Sequence, residues 1–160
     1  MSGGSGRERR IGIISDTHGL VRPQALAALA GSELLVHAGD IGSLQVLEAL
    51  ASIAPVVAVR GNNDRAAWAR AIPESRVVEV PGARLFVLHD LKQLRIDPAA
   101  EGFDVVISGH SHRPVVERCR GVLFVNPGSA GPRRFKLPIA VARLVVRSGA
   151  ADAEIVLLEC

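Results

Sequence analysis

Aromatic residues are scarce in this sequence of 160 residues. It has no Tyr, one Trp and four Phe, although 48% of its residues are hydrophobic. The core must therefore be built mainly from Val, Leu, Ile and Ala. Proteins that bind single-stranded nucleic acid rely on aromatic side chains for base stacking, and the shortage of aromatics argues against that class.

Cysteine and long apolar runs are scarce as well. Cys119 and Cys160 are the only cysteines, and without a CxxC pair or a disulfide framework they favour a reducing compartment. No apolar run is long enough to span a bilayer, and residues 11–14 are too few for the apolar segment of a signal peptide. We therefore expect a cytoplasmic protein with no membrane partner.

The chain also carries little excess charge. Its formal net charge is +3 at pH 7, and Arg7, Arg9 and Arg10 lie in or beside an N-terminal segment rich in glycine and serine. Without those three arginines and Glu8, the remainder carries a net charge of +1. A platform for nucleic acid is therefore not indicated.

The composition predicts two regions. Residues 1–9 are rich in Gly, Ser and charge and are predicted to form a disordered tail, whereas residues 10–160 are predicted to form a single domain. Within the domain, short β-branched runs alternate with Ala- and Leu-rich stretches. The pattern predicts ten strands, at residues 11–15, 33–37, 55–60, 76–80, 84–89, 105–108, 115–118, 122–126, 139–146 and 151–158.

Three helices are predicted between these strands, at residues 22–30, 44–50 and 97–102. Pro23 suits the first turn of the first helix, Gly31 its C-terminal end, and Ser43 the N-cap of the second. Residues 81–83 predict a hairpin turn. The order βαβαβ followed by meanders predicts an α/β fold of two packed sheets with helices outside.

The informative pattern is the position of Asp, His and Asn residues, which come directly after strands: Asp16 and His18, Asp40, Asn62 and Asp64, His89, and His110 and His112. Because parallel strands bring their C-terminal ends to one edge of a sheet, five separate segments can converge on one crevice. The neighbouring Gly39, Gly61 and Gly109 allow sharp backbone turns.

These residue types suit divalent ions such as Mn, Fe, Co or Zn. No cysteine lies in these segments, which argues against a structural zinc site. Four of the five histidines fall on the strand ends, and two carboxylates, four imidazoles and an amide are more than one ion needs. The excess indicates two ions.

The segments Asp16-x-His18, Gly39-Asp40, Gly61-Asn62-x-Asp64, His89 and Gly109-His110-x-His112 resemble the calcineurin-like metallophosphoesterase superfamily. The short chain and the later Asn126–Ser129 make it most similar to the small prokaryotic phosphodiesterase branch. The resemblance implies a four-layer αββα sandwich of two mixed β-sheets flanked by helices, the metallo-dependent phosphatase fold. It covers the chain from about Arg10 onward.

The resemblance also implies roles for the candidate residues. Asp16, His18, Asp40 and His112 would hold a first metal ion, and Asn62, His89 and His110 a second, with Asp40 bridging both. Manganese is expected, with Fe, Zn, Co or Ni as alternatives. A metal-bridging hydroxide would attack a small phosphate ester in line, with Asn62 and His112 placing the substrate and Asp64 acting at the site.

Two positions depart from the family pattern. Many relatives carry His after the Gly-Asn pair, where this chain has Asn63, and others carry His-Gly-His where it has His89-Asp90-Leu91. Both departures remove an imidazole that could protonate a leaving group. Esters of acidic alcohols are therefore expected to be cleaved much better than alkyl esters.

Several alternatives remain open at this point. His37 suits a role beside the site or a structural one, Asp64 could cap a helix, and Asn126–Ser129 could be a simple turn. Members of the superfamily that have lost metal ligands serve as interaction platforms, so a catalytically weak or inactive scaffold is the alternative function. Homo-oligomerisation is also left open.

Overall fold

The computed structural model describes residues 8–134 and 136–160. Most of the predicted tail, residues 1–7, lies outside the described residues. The tail was predicted to extend to residue 9, but the first strand begins there. Arg9 belongs to this strand because it pairs with Val146 near the C-terminus.

Ten strands and two α-helices are present in the described residues. In chain order they are β1 Arg9–Ile14, α1 Pro23–Leu29, β2 Leu34–His37, α2 Leu44–Ala51, β3 Val56–Ala58, β4 Ser75–Val80, β5 Ala83–Leu88, β6 Val105–Ile107, β7 Val115–Cys119, β8 Val122–Asn126, β9 Ala140–Arg147 and β10 Ala150–Leu157. Every predicted strand is found, with its ends shifted by at most a few residues. None of the described helices is long and apolar enough to cross a membrane.

The strands form two mixed sheets of five. The first has the order β10-β9-β1-β2-β3 and the second the order β4-β5-β6-β8-β7. In the first sheet β1, β2 and β3 are parallel, and in the second β5, β6 and β8 are parallel. The predicted α/β fold with two mixed sheets is confirmed, and each sheet presents three parallel strand ends.

The main core lies between the two sheets. Buried residues of the first sheet, such as Ile13 and Leu144, belong to the same cluster as Leu85 and Ile107 of the second. Alternate residues of a strand point to opposite faces, so the β-branched runs of the sequence supply both the inner layer and the outer faces. The core therefore joins the strand ends of both sheets into one rigid frame.

Both α-helices cover the outer face of the first sheet, where they bury residues such as Leu29 and Leu50. Pro23 stands in the first turn of α1 as predicted. Ser43 is the N-cap residue of α2, but its side chain makes no capping hydrogen bond. The predicted N-cap position of Ser43 is confirmed, but its side chain does not stabilise the helix by a capping bond.

The outer face of the second sheet is covered more thinly. A small cluster around Leu88, Val106 and Val122 lies there, with a single-turn 3-10 helix at Leu91–Gln93 nearby in the chain. The prediction of a helix at residues 97–102 is wrong, because the structure has only turns there. The Phe103 amide returns to the Pro98 carbonyl at 2.9 Å, which ends the turn and lets the Phe103 ring pack.

Candidate metal centre

The predicted ligand residues lie in loops that leave the parallel strands, and most of them adopt an unusual backbone conformation. Five of the seven non-glycine residues with positive φ in the described chain are predicted ligands, listed with their angles as Asp16 (55°), His18 (47°), Asp40 (56°), His110 (72°) and His112 (62°). The other two, Arg120 and Ser148, precede glycines in two-residue hairpin turns, where positive φ is usual. Left-handed backbone costs energy outside glycine and clusters at functional sites.

Three imidazoles surround one carboxylate oxygen. The Nε2 atoms of His112, His89 and His18 lie 3.3, 3.8 and 3.9 Å from Oδ1 of Asp16. The Asp16 side chain is fully buried. Its other oxygen, Oδ2, accepts hydrogen bonds from the Ser15 hydroxyl at 2.7 Å and the His110 amide at 3.0 Å, which leaves Oδ1 facing the imidazoles.

Asp40 faces the same imidazoles from the adjacent loop. Its Oδ2 lies 3.3 Å from Nε2 of His89 and 3.8 Å from Nε2 of His18. Burial opposes ionisation of Asp40, but the hydrogen bonds from His89 and Asn63 and the charges of His89 and His18 outweigh it and lower its pKa to about 2. The carboxylate therefore stays ionised at every physiological pH.

His89 is oriented by a backbone carbonyl. Its Nδ1 donates to the carbonyl of Ala38 at 2.7 Å. In the protonated ring Nε2 donates toward Asp40, and in the neutral ring the same atom carries the lone pair that could bind a metal ion. Burial opposes protonation of His89, but the neighbouring carboxylates outweigh it and raise its pKa. Metal-binding histidines are commonly held in this way, with one ring nitrogen on a carbonyl and the other on the ion.

The donor atoms fit divalent metal ions. Asp16, His18 and His112 place one ligand atom each within 4.8 Å of one another, and so do Asp16, Asp40 and His89. Three buried atoms of the first group, Asp16 Oδ1, His18 Nε2 and His112 Nδ1, have no hydrogen-bond partner in the described chain. Buried polar atoms without partners are costly, and coordination would satisfy Asp16 Oδ1 and His18 Nε2 together.

His110 and Asn62 lie at the edge of this cluster. Nδ1 of His110 is 3.3 Å from Nε2 of His89, and its Nε2 is 3.9 Å from Oδ2 of Asp90. Asn62 is exposed and lines a small cleft together with His89. The structure thus brings five of the seven predicted ligands into tight groups and sets these two beside His89. Asp16 is shared by both groups, and the bridging role of Asp40 stays a prediction.

Asp64 fastens two loops together. Its buried carboxylate accepts hydrogen bonds from the amides of Ile41 at 3.0 Å, Gly42 at 3.1 Å and Gly61 at 2.9 Å. These bonds tie the loop of Asp40 to the loop of Asn62. The contacts give Asp64 a positioning role, and the direct catalytic role predicted from the resemblance stays a prediction.

Asn63 holds the carboxylate of Asp40. Its backbone amide donates to Oδ1 at 2.9 Å and its side-chain amide donates to Oδ2 at 3.1 Å. Sequence reasoning identified Asn63 only as a missing imidazole. Its positioning contact depends on the distance between two loops, which no local pattern in the sequence reveals.

The sequence left open a role for His37 beside the site or a structural one, and its hydrogen bonds combine the two by supporting the candidate ligand loops. The Gly39 amide donates to its Nδ1 at 3.0 Å, so the neutral ring carries its proton on Nε2 and donates it to the Thr17 hydroxyl at 2.9 Å. Thr17 in turn donates to the Ile41 carbonyl at 2.8 Å. This chain of hydrogen bonds links the loop of Asp16 and His18 to the loop of Asp40.

The segment Asn126–Ser129 supports the ligand loops of both sheets. The Asn126 side-chain amide donates to the Gly109 carbonyl at 2.9 Å, and the Ser129 hydroxyl donates to the Asp16 carbonyl at 3.1 Å. The segment is therefore more than a simple turn. It fixes the backbone on either side of the donor cluster.

Two of the predicted glycines are required for space rather than for backbone angle. Gly39 has a positive φ of 105°, as expected. A Cβ atom at Gly61 would lie 2.2 Å from Oδ1 of Asp40, and one at Gly109 would lie 2.0 Å from the Ser15 hydroxyl. Both glycines let backbone approach the acidic ligands closely.

The fold and the donor groups define an α/β protein with a candidate centre for divalent metal ions. The model of the calcineurin-like phosphoesterase superfamily domain matches residues 10–149, and a probable metallophosphoesterase of Methanothermobacter thermautotrophicus is 37% identical over 158 residues, 91% of each chain. This chain belongs to the calcineurin-like phosphoesterase superfamily, as the motifs predicted.

Solved structures agree with this assignment. An archaeal phosphodiesterase superimposes with a TM-score of 0.77 and 26% identity, over 93% of this chain and 99% of that chain. Vps29 of Entamoeba histolytica in complex with zinc superimposes with a TM-score of 0.69 and 20% identity, over 94% of this chain and 99% of that chain. At that identity the likeness to Vps29 shows the fold alone.

The backbone strain at the ligand loops can be measured at His110. His110→Gly and His110→Ala remove the same imidazole, but only glycine relieves the positive φ. Because a left-handed L-residue costs about 1–2 kcal/mol, we expect the metal-free His110→Gly protein to have a free energy of unfolding about 1 kcal/mol above that of His110→Ala. Urea unfolding in the presence of a chelator measures the difference. Glu117 of β7 is the control position, where Glu117→Ala should be more stable than Glu117→Gly. Equal stability of the two His110 variants would contradict backbone strain at His110.

The buried His37 makes stability depend on pH. Its pKa is lowered from 6.5 to about 4, because burial outweighs the nearby carboxylates, so the unfolded chain binds more protons between these values. The contribution of His37 to stability is complete above pH 6.5 and falls as pH decreases toward 4, by roughly 2–3 kcal/mol between pH 7 and 4.5. Urea unfolding of the metal-free protein measures this loss.

The control for His37 is His37→Gln, which has no titrating group and should lose less stability over the same range. Asp40 loses its contribution only below its ordinary pKa of 3.8. His89, whose pKa is raised, loses its contribution only above 6.5. An unchanged pH slope in His37→Gln would refute the assignment.

Proposed function

We propose that the protein is a phosphodiesterase that binds two divalent metal ions, with manganese the expected metal, and hydrolyses small phosphate diesters. The observation that carries the proposal is the pair of donor groups that share Asp16, with buried donor atoms that lack other partners. The superfamily membership and the similarity to an archaeal phosphodiesterase support it.

In this proposal the candidate residues have separate roles. Asp16, His18 and His112 would hold one ion, and Asp40 and His89 the other, with Asn62 and His110 completing its ligands. Bound ions of this kind lower the pKa of water and neutralise charge on a phosphoryl group. Asn63 and Asp64 would keep the acidic ligand Asp40 in place while the substrate enters, and Asn62 and His112 would help to place its phosphate.

The hydrolysis is direct, with water attacking phosphorus in line and no phosphorylated side chain. Asp16 and Asp40 would be engaged as metal ligands in this proposal and so would not be available to attack phosphorus. A single turnover in oxygen-labelled water should place one label in the product phosphate. A trapped phosphorylated residue would contradict direct attack.

Asp40 provides the direct test of the metal centre. Asp40→Asn should lower manganese-dependent hydrolysis of bis-p-nitrophenyl phosphate by more than about 100-fold, since changes outside the ligand shell alone cost about 10- to 100-fold. Bound manganese should fall in parallel, measured by elemental analysis of dialysed protein. Asp152→Asn, an exposed carboxylate on β10 that pairs with Arg118, is the matched control and should keep full activity.

The rival function is a scaffold that binds metal without catalysis. The fold alone allows it, because Vps29, a structural neighbour, was crystallised with zinc, and metal binding by itself does not separate the two functions. Hydrolysis does. A wild-type protein that binds manganese but cleaves no phosphodiester with any divalent ion would favour the scaffold.

Asn63 determines which leaving groups are tolerated. An amide cannot donate a proton to a departing alcohol, whereas an imidazole can, and general acid catalysis contributes about 10²- to 10⁴-fold. We expect Asn63→His to raise kcat/KM for methyl phenyl phosphate about tenfold relative to methyl p-nitrophenyl phosphate. Asn63→Gln, which keeps the amide, should leave the ratio unchanged. A ratio that responds equally to both variants would rule out proton donation at this position.

A further inference from the structure

An open groove runs from the candidate metal centre onto the outer face of the second sheet. Its volume is about 540 Å³, and its walls are Asp90, Leu91, Lys92, Ser108, Gly109, His110, Ser111, Val115, Glu117, Phe124, Val125 and Asn126. His110, at one end, lies 3.3 Å from His89. One end of the groove therefore lies next to the candidate metal centre.

The groove is open because little packs on this face. Within the described residues both α-helices lie on the other sheet, and all five residues of the edge strand β7 are exposed. Leu91 is 42% exposed and Val115 is 38% exposed. Apolar side chains therefore stand in solvent directly beside a polar centre.

The chemistry of the walls favours an apolar occupant. Leu91, Val115 and Phe124 supply apolar surface. The Asn126 side chain is already engaged, because its amide donates to the Gly109 carbonyl and the Ser111 hydroxyl while its oxygen accepts from the Gly128 amide. It is therefore not available to recognise the edge of a nucleobase.

The charges at the groove oppose an anionic occupant. Asp90 and Glu117 contribute two carboxylates, and Lys92 contributes one ammonium group. Like charges disfavour each other when partly desolvated. A substituent with its own phosphate or carboxylate group would meet net negative charge here.

We propose that this groove binds one apolar, uncharged ester substituent of the phosphodiester substrate, such as an aryl or branched alkyl group, and that Val115 and Leu91 select for it. The proposal rests on the proposed function and names its substrate class. The volume lies within the range of about 300–1,000 Å³ that is typical of small-molecule sites, so a single ring fits with room for its linker.

Two neighbouring valines give a matched pair of variants. Val115 and Val116 are each 38% exposed on β7, but successive residues of a strand face opposite sides, and only Val115 lines the groove. Val115→Gln and Val116→Gln therefore make the same chemical change at the same exposure. Thermal unfolding should show the same midpoint for both.

The kinetic test compares benzyl p-nitrophenyl phosphate with methyl p-nitrophenyl phosphate in the manganese-loaded full chain. The two share a leaving group and differ only in the remaining ester. The wild type should prefer the benzyl ester about tenfold in kcat/KM, as burial of part of a ring allows. Val115→Gln should reduce this preference several-fold, and Val116→Gln should keep it.

A second result would also support the groove. If the nitrophenyl group itself occupies it, Val115→Gln lowers kcat/KM for both esters equally while Val116→Gln lowers neither. Wild-type kinetics on both esters in Val115→Gln, or equal losses in the two variants, would overturn the proposal.

Binding separates a failure of the groove from a failure of the proposed function. If the wild type hydrolyses no phosphodiester, the proposed function is rejected. Titration calorimetry with dibenzyl phosphate and dimethyl phosphate then tests separately whether the groove binds an apolar substituent. Dibenzyl phosphate should bind about tenfold more tightly, with the advantage lost in Val115→Gln only. Equal binding of the two phosphates would reject the groove.

Discussion

The burial of two carboxylates beside each other is the constraint on which the rest of the structure depends. Asp16 is fully buried and Asp40 is 3% exposed, and an ionised carboxylate is costly to bury without compensation. Backbone amides and imidazoles supply part of this compensation through hydrogen bonds and charge. Oδ1 of Asp16, however, keeps no hydrogen-bond partner in the described chain, and it is the atom on which three imidazoles converge. A positively charged group at this atom would therefore compensate the buried charge.

The loops that carry these groups are held by hydrogen bonds between loops. The amides of Asp16 and His18 donate to the carbonyls of Gly39 and Asp40, each at 3.0 Å. Asp64 adds two further bonds between loops, from the amides of Ile41 and Gly42, and the chain of His37 and Thr17 adds two more. Strained residues persist only where their surroundings over-determine them. This network explains how so many candidate ligands can adopt left-handed backbone in one place.

The strands and the candidate donor residues could be predicted from the sequence, because strand patterns are local. Alternating β-branched runs identified the strands, and the polar residues at their ends identified the donors. The convergence of the strand ends could be predicted as well, but individual hydrogen bonds and strand pairings between distant segments could not. The bond of Asn63 to Asp40 spans two loops, and the insertion of β9 between β1 and β10 joins the two ends of the chain. The helix predicted at residues 97–102 failed because tertiary burial of Phe103 overrode local propensity.

Two independent features support the same proposed class of substrate. At the metal centre, Asn63 replaces an imidazole, so a departing alcohol would have to leave with little help from a proton, which favours acidic alcohols such as phenols. On the outer face of the second sheet, the groove beside His110 is walled by Leu91 and Val115, which favours apolar rings. An aryl ester satisfies both conditions at once, whereas a simple alkyl ester satisfies neither. In the proposed enzyme, the missing proton donor and the thin covering of the second sheet would therefore be two aspects of one specificity.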